Sequence, residues 1–425
     1  MKQRKNNKFR VCELFAGVGG FHLGLQKSGW KVVWANQWEP GKKAQYAFDC
    51  YAKHFQGKGT HSNDDIAWAK KELKNKKKFG FELLVGGFPC QDYSVATANA
   101  KGIHGKKGVL WWEINDIITI AKPPYILLEN VDRLLRSPAK QRGKDFGVIL
   151  ACLYKHGYYV EWRVINAADY GFPQKRRRTF IFATKNKALI NTLTKGKNII
   201  AAYKAILLNT GFFAPAFPVT EAQDNGEGPL GMSFHGDGVE IDSNPKIMSD
   251  NFAFHFKNAG LMYKGKVFTL KVISTYKGKR TLLRDILSEK VNSKYYLLES
   301  DLPAWRYCKG AKSEERVKKE GYKYFYTEGA IPFPEHLNQP SRTMLTSEGA
   351  KKPNRISHVV EFPKGCGKYR LITPGEAEKL NGFPRGWTDT GMPERWRYFC
   401  MGNALVVGLI EKLGKRIKDV ISSSS

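Results

Sequence analysis

The first 185 residues alternate short apolar runs with glycine or proline turns and amphipathic stretches, and no other feature constrains the fold as tightly. Arg10–Phe15 predicts a strand that ends in the turn Gly17-Val18-Gly19-Gly20, and the apolar spacing from Phe21 predicts a helix stopped near Gly29. Lys31–Asn36, Glu82–Val85, Tyr125–Leu128, Tyr159–Ile165 and Thr179–Ala183 read as further strands. Ala44–Phe55, Trp111–Ala121 and Phe146–Lys155 read as the helices between them. Strands alternating with helices predict an α/β fold, a doubly wound and mostly parallel sheet with ligands at the carboxyl ends of its strands.

From about Asn186 to Glu335 the rhythm fades into glycine-rich turns and scattered strands such as Val267–Ile273, which reads as a separate, smaller, loop-rich insert. Helices are expected again at Pro374–Leu380 and Val406–Val420. The expected organisation is a catalytic and cofactor-binding domain over residues 1–185, completed by 402–425, and a second domain over 186–401.

Composition narrows the function. Seventy Lys+Arg against 39 Asp+Glu leave a formal charge of +31, more than half of it within residues 1–185. Such an excess seeks polyanions, nucleic acid first, without specifying any chemistry. The lysine-rich stretch Lys70–Lys78 reads mainly as a solvated helix face. No apolar run approaches the roughly 18 residues of a membrane span, so no membrane partner is expected. Seven cysteines without a CxxC pair indicate neither a disulfide framework nor a metal site, and a cytoplasmic protein is expected.

Four segments carry candidate chemistry. In Phe15-Ala16-Gly17-Val18-Gly19-Gly20, glycines let backbone approach a ligand at a helix N-terminus, and Glu39 lies where a carboxylate can hold ribose hydroxyls. The same turn also serves as a tight strand–helix connection that binds nothing. In Gly86-Gly87-Phe88-Pro89-Cys90-Gln91, a cysteine at a strand's carboxyl end is either a nucleophile or a small buried hydrophobe. Glu129-Asn130-Val131 ends another strand and places a carboxylate on the same rim, unless the pair only caps a helix. Gln174-Lys175-Arg176-Arg177-Arg178 is a basic patch for phosphates, or else Arg178, opening an apolar strand, turns inward toward Glu129.

These four segments, in this order, together with Leu371–Pro384 and Gly402-Asn403-Ala404, resemble the DNA cytosine-5 methyltransferase family over the chain outside the insert. The resemblance implies a sequence-specific enzyme that flips a cytosine out of double-stranded DNA and methylates C5 from S-adenosyl-L-methionine. Cys90 would add to C6, with Glu129, Arg178, Arg176 and Asn130 completing the catalytic group. Phe15, Ala16, Gly17, Gly19, Gly20, Trp38, Asp65, Ile66, Pro89, Leu110, Asn403 and Ala404 would hold the cofactor. Where the family usually has a carboxylate before the tryptophan this chain has Gln37, so either Gln37 or Glu39 holds the ribose. A second departure is Lys107 before Gly108, where an arginine is more usual. The insert occupies the family's target-recognition region, where Arg280, Arg284 and Arg306 could read guanines, although each reads first as a phosphate or structural arginine. A monomer paired with a restriction endonuclease of the same site specificity is the implied setting. A tRNA methyltransferase of the same fold is the alternative, disfavoured by Gln91 and the large insert.

Overall fold

The computed structural model describes residues 9–75, 79–88, 110–186, 190, 199–222, 237–317 and 321–422, in two compact units. The larger unit gathers residues 9–170, 177–278 and 407–422, and the smaller 171–176 and 279–406.

The larger unit is built on one ten-stranded sheet. Its parallel half consists of β1 (Arg10–Leu14), β2 (Lys31–Asn36), β3 (Thr60–Ser62), β4 (Leu83–Gly87) and β5 (Tyr125–Val131), in the order β3-β2-β1-β4-β5. Helices α1 (Gly20–Lys27), α2 (Tyr46–Phe55), α3 (Ile66–Ala69), α4 (Leu110–Ala121) and α5 (Lys144–Lys155) intervene along the chain. β1, β4 and β5 are buried almost end to end, as expected of strands covered on both faces. The core combines these strands with Trp111, Ile114, Ile117 and Ile118 of α4 and Phe146–Leu153 of α5, and it encloses Trp34 and Trp162 completely.

Next to β5 the direction reverses. β6 (Tyr159–Asn166) and β7 (Arg177–Thr184) are antiparallel to one another, with β7 inserted between β5 and β6. Beyond β6 the sheet continues into the expected insert. After a short β8 (Val219–Glu221), β9 (Asp237–Glu240), β10 (Ala259–Tyr263) and β11 (Lys266–Leu270) extend it in the order β6-β10-β11-β9. β12 (Val272–Ser274) pairs with β8 outside it.

This differs from the expected break after Lys185: the first part of the insert packs as catalytic-unit sheet, and the division follows Gly278. The reason lies partly in β6, where Glu161 and Arg163 are fully buried. Glu161 accepts the backbone N–H groups of Phe212 and Phe213 at 2.8 and 3.2 Å. Arg163 donates to the carbonyls of Phe217 (3.0 Å) and Leu207. Buried charges need such partners, and these bind residues 207–217 to the sheet. At the chain's other end, helix Val407–Ser422 returns to α1 so closely that a Cβ on Gly24 would lie 2.6 Å from Ile410.

The smaller unit has less regular structure: the hairpin β13 (Lys312–Val317) and β14 (Lys323–Glu328), the pair β15 (Val359–Glu361) and β16 (Tyr369–Leu371), and helices Leu302–Lys309, Pro374–Leu380 and Glu394–Asn403. Its apolar cluster around Trp305, Val359 and Leu371 is small, and buried polar contacts supplement it. Arg370 binds both carboxylate oxygens of Glu376 at 2.9 Å, and His358 meets Glu348 at 2.7 Å. Such pairs specify geometry more than they stabilise.

Candidate active site

Register builds the catalytic rim. β4 and β5 run parallel with Gly87 beside Glu129, and β5 pairs with β7 so that Glu129 faces Phe180 and Val131 faces Arg178. Side chains two apart on a strand share a face, so Arg178 is the diagonal neighbour of Glu129. Its Nε forms an ion pair with Glu129 Oε1 at 2.9 Å, with both side chains largely shielded, and its Nη1 donates to the carbonyl of Arg177 at 2.7 Å. A Cβ on Gly87 would lie 3.1 Å from Glu129 Oε2, so glycine leaves the carboxyl its room.

Asn130, one residue on, points to the opposite face. Its Nδ2 donates to the Phe88 carbonyl at 2.9 Å, and its Oδ1 accepts from the Val131 N–H at 2.8 Å. Asn130 therefore ties β5 to the residue from which Pro89 and Cys90 continue. Pro89 and Cys90 themselves lie outside the described residues. Arg176 belongs to the smaller unit, where it is fully buried and donates to the carbonyls of Met344 (3.3 Å) and Gly402 (2.9 Å). Those bonds make it a strut between segments of that unit.

The candidate cofactor residues of the larger unit line the carboxyl ends of β1, β2 and β3. After β1, Phe15 adopts a left-handed backbone (φ +55°), followed by Gly17 (φ +55°) and Gly19 (φ +89°), and α1 begins at Gly20. A Cβ on Gly19 would meet the Phe55 ring at 2.3 Å, whereas one on Gly17 would meet nothing within 4 Å. Gly19 is thus required by both backbone and packing, while Gly17 borders open space. Gly19→Ala is expected to lower stability by about 2–4 kcal/mol in urea unfolding, the sum of left-handed strain and overpacking. Equal unfolding midpoints for the two proteins would show that the turn relaxes instead.

Ala16 is buried, Phe15 half-buried, and Trp38, just past β2, remains 37% exposed. Ile66 is buried at the start of α3, and Asp65 caps that helix by accepting the Ala67 N–H at 2.9 Å. Leu110 opens α4. The two ribose candidates differ in their bonds. Gln37 Oε1 accepts the Gly17 N–H at 2.7 Å and so braces the turn. Glu39 has a buried Oε2 without a hydrogen-bond partner, and burial raises its pKa. An orphaned buried acceptor, two accessible aromatic rings and an open glycine fit an adenosine-containing cofactor. Asn403 and Ala404, at the end of helix Glu394–Asn403, belong to the smaller unit.

Sequence reading overlooked a polar cluster beneath the turn. Glu13, fully buried on β1, accepts from Tyr51 Oη at 3.0 Å and from the His22 N–H at 3.3 Å, and Tyr51 Oη lies 2.7 Å from His22 Nδ1. Burial raises Glu13 to about 8 and lowers His22 to about 3. A carboxyl inside the apolar run Val11–Leu14 was the available signal. Among the described residues, no group of three or more His, Cys, Asp or Glu is placed to hold a metal ion, and no helix is long and apolar enough to cross a membrane.

Residues 9–419 match the model of the C-5 cytosine-specific DNA methylase family. The chain is 46% identical over 422 residues to the type II methyltransferase M.Sau3AI of Staphylococcus aureus, covering 98% of this chain and 97% of that protein. It is 30% identical over 186 residues to the type II methyltransferase M.HhaI of Haemophilus parahaemolyticus, covering 44% and 52% of the two chains. The crystal structure of S. pombe Dnmt2 methyltransferase superposes with a TM-score of 0.57 at 16% identity, covering 97% of this chain and 99% of that one, a likeness of fold alone. With its glycine turn, its Glu129–Arg178 rim and a family match across nearly its whole length, the chain belongs to the C-5 cytosine-specific DNA methylases.

Proposed function

We propose that this DNA cytosine-5 methyltransferase modifies a specific duplex site as a cytoplasmic monomer paired with a restriction endonuclease, extruding one cytosine and attacking its C6 with Cys90. The Glu129–Arg178 pair carries this reading. A carboxyl held at 2.9 Å by a guanidinium, at the end of a parallel strand, can share a proton with the N3 edge of a cytosine ring. Asn130 holds the Phe88 carbonyl, and with it the chain leading into Cys90. S-adenosyl-L-methionine supplies the methyl group. Phe15 and Trp38 would pack against its adenine, with Asp65 and Ile66 at the ring edge. Glu39 or Gln37 would bind the ribose, and Asn403 and Ala404 would attend the methionine end. Lys and Arg side chains grip phosphates while the base is out of the stack, offsetting an extrusion cost of a few kcal/mol. M.Sau3AI, nearly co-extensive with this chain and named a type II methyltransferase, supports the restriction–modification setting.

Incubation with methyl-labelled cofactor and either plasmid DNA or tRNA tests the reading. Label is expected in DNA, as 5-methylcytosine at one recurring sequence. DNA affinity should fall with salt, log K dropping by roughly 0.9 per phosphate neutralised. Label confined to tRNA would overturn the assignment of substrate.

A further inference from the structure

We propose that Glu13, Tyr51 and His22 form a positioning chain that holds the β1–α1 glycine turn in the geometry that accepts the cofactor. This rests on the cofactor reading above and concerns residues that touch the turn from below. α1 begins with a defect: its N-cap, Gly19, has no side chain to accept a helix N–H, because both its φ and the Phe55 ring demand glycine. Glu13 makes good that loss from β1. Its Oε1 accepts the N–H of His22, the third residue of α1. The chain then closes on itself, since Glu13 Oε2 meets Tyr51 Oη of α2 and Tyr51 Oη meets Nδ1 of the same His22. The imidazole lies flat on Phe55, with centroids 3.6 Å apart and planes within 5°, and Phe55 is the ring that abuts Gly19. Three elements thus converge on one turn through buried hydrogen bonds, where each bond is hard to replace with water.

The polarity of the chain depends on one proton. Across the sheet Glu13 lies beside Ala35 and Val85; the titratable groups acting on it are Tyr51 and His22, with Cys12 next to it along β1 and with His61 and Lys58 acting on His22. The bond in the structure, Tyr51 Oη donating to Glu13 Oε2, is the one a carboxylate makes. Burial raises the Glu13 pKa to about 8, and a protonated carboxyl would reverse that bond, donating to Tyr51, which then donates to the neutral imidazole. Above that pKa the carboxylate must accept from Tyr51, and His22 must present Nδ1–H. Glu13→Gln mimics the neutral form, keeping an acceptor for the His22 N–H and a donor toward Tyr51. Tyr51→Phe keeps the ring and breaks the chain.

The test is calorimetric binding of S-adenosylhomocysteine to the full chain from pH 6.5 to 9.5, with steady-state kinetics alongside. Tyr51→Phe is expected to weaken binding about tenfold and to raise the cofactor KM in parallel. Its kcat at saturating cofactor and its KM for DNA should stay within about twofold of wild type. Glu13→Gln is expected to match wild type at pH 7 and to part from it only above pH 8. Wild-type binding with a folded Tyr51→Phe that binds equally well, or Glu13→Gln curves superposed on wild type to pH 9.5, would overturn the proposal. Failure of the wild type to bind at all would instead remove the cofactor reading beneath it.

Discussion

Replacing Cys90 by serine is expected to lower methyl transfer by at least about 10³-fold while leaving DNA and S-adenosylhomocysteine affinities within about threefold. Cytosine C5 is too electron-poor to take a methyl group directly. Addition of a nucleophile at C6 makes C5 enamine-like, and a thiolate does this at neutral pH where an alcohol, with a far higher pKa, does not. In the proposed cycle a base then removes the C5 proton and the thiolate departs from C6, which restores the aromatic ring as 5-methylcytosine and frees the enzyme. Fluorine at C5 blocks that proton loss. Duplex DNA carrying 5-fluorocytosine at the target should therefore trap wild type as a covalent complex stable to denaturation, and should not trap Cys90→Ser. An adduct of equal yield with the serine variant would place the nucleophile elsewhere.

What could be read along the chain depended on how local its cause was. β2 and helix Pro374–Leu380 match their expected bounds because a continuous apolar run in one, and a threonine–proline start with glutamate three residues on in the other, decide them locally. There Thr373 and Glu376 close a reciprocal cap that is visible in the sequence. The Glu129–Arg178 contact was legible for a related reason: both residues sit at strand ends, and the period of two leaves few ways to place them.

The remainder rested on long-range pairing. Nothing in the local pattern of residues 237–270 announces that β10 pairs with β6, about 100 residues earlier, and carries β11 and β9 into the same sheet rather than a separate one. Arg176 and Arg178 are two positions apart in one basic run, yet one is buried against carbonyls of residues 344 and 402 and the other meets Glu129. Charge alone does not separate these fates. Glu13 stands out in the sequence only as a carboxyl inside an apolar run, and its partners, the His22 N–H and Tyr51 Oη, come from α1 and α2.

Glu129→Gln is expected to cost about 10²–10³-fold in kcat with little change in either KM, because glutamine still accepts from Arg178 Nε but brings no exchangeable carboxyl proton to the base edge. Arg178→Ala should cost less, about 10–100-fold, by freeing the carboxyl to turn away from the ring while its proton remains available. Arg178→Lys should recover little of that loss, since an ammonium lacks the planar geometry of the guanidinium. The two residues then act as a unit: with Gln at 129 there is no acid left to orient, so the double variant should fall no further than Glu129→Gln alone. Single-turnover rates at saturating DNA and cofactor measure this directly, since they exclude product release. Losses that multiply in the double variant would mean that Arg178 contacts the base independently, and that the 2.9 Å pair is an ion pair of the fold rather than an oriented acid.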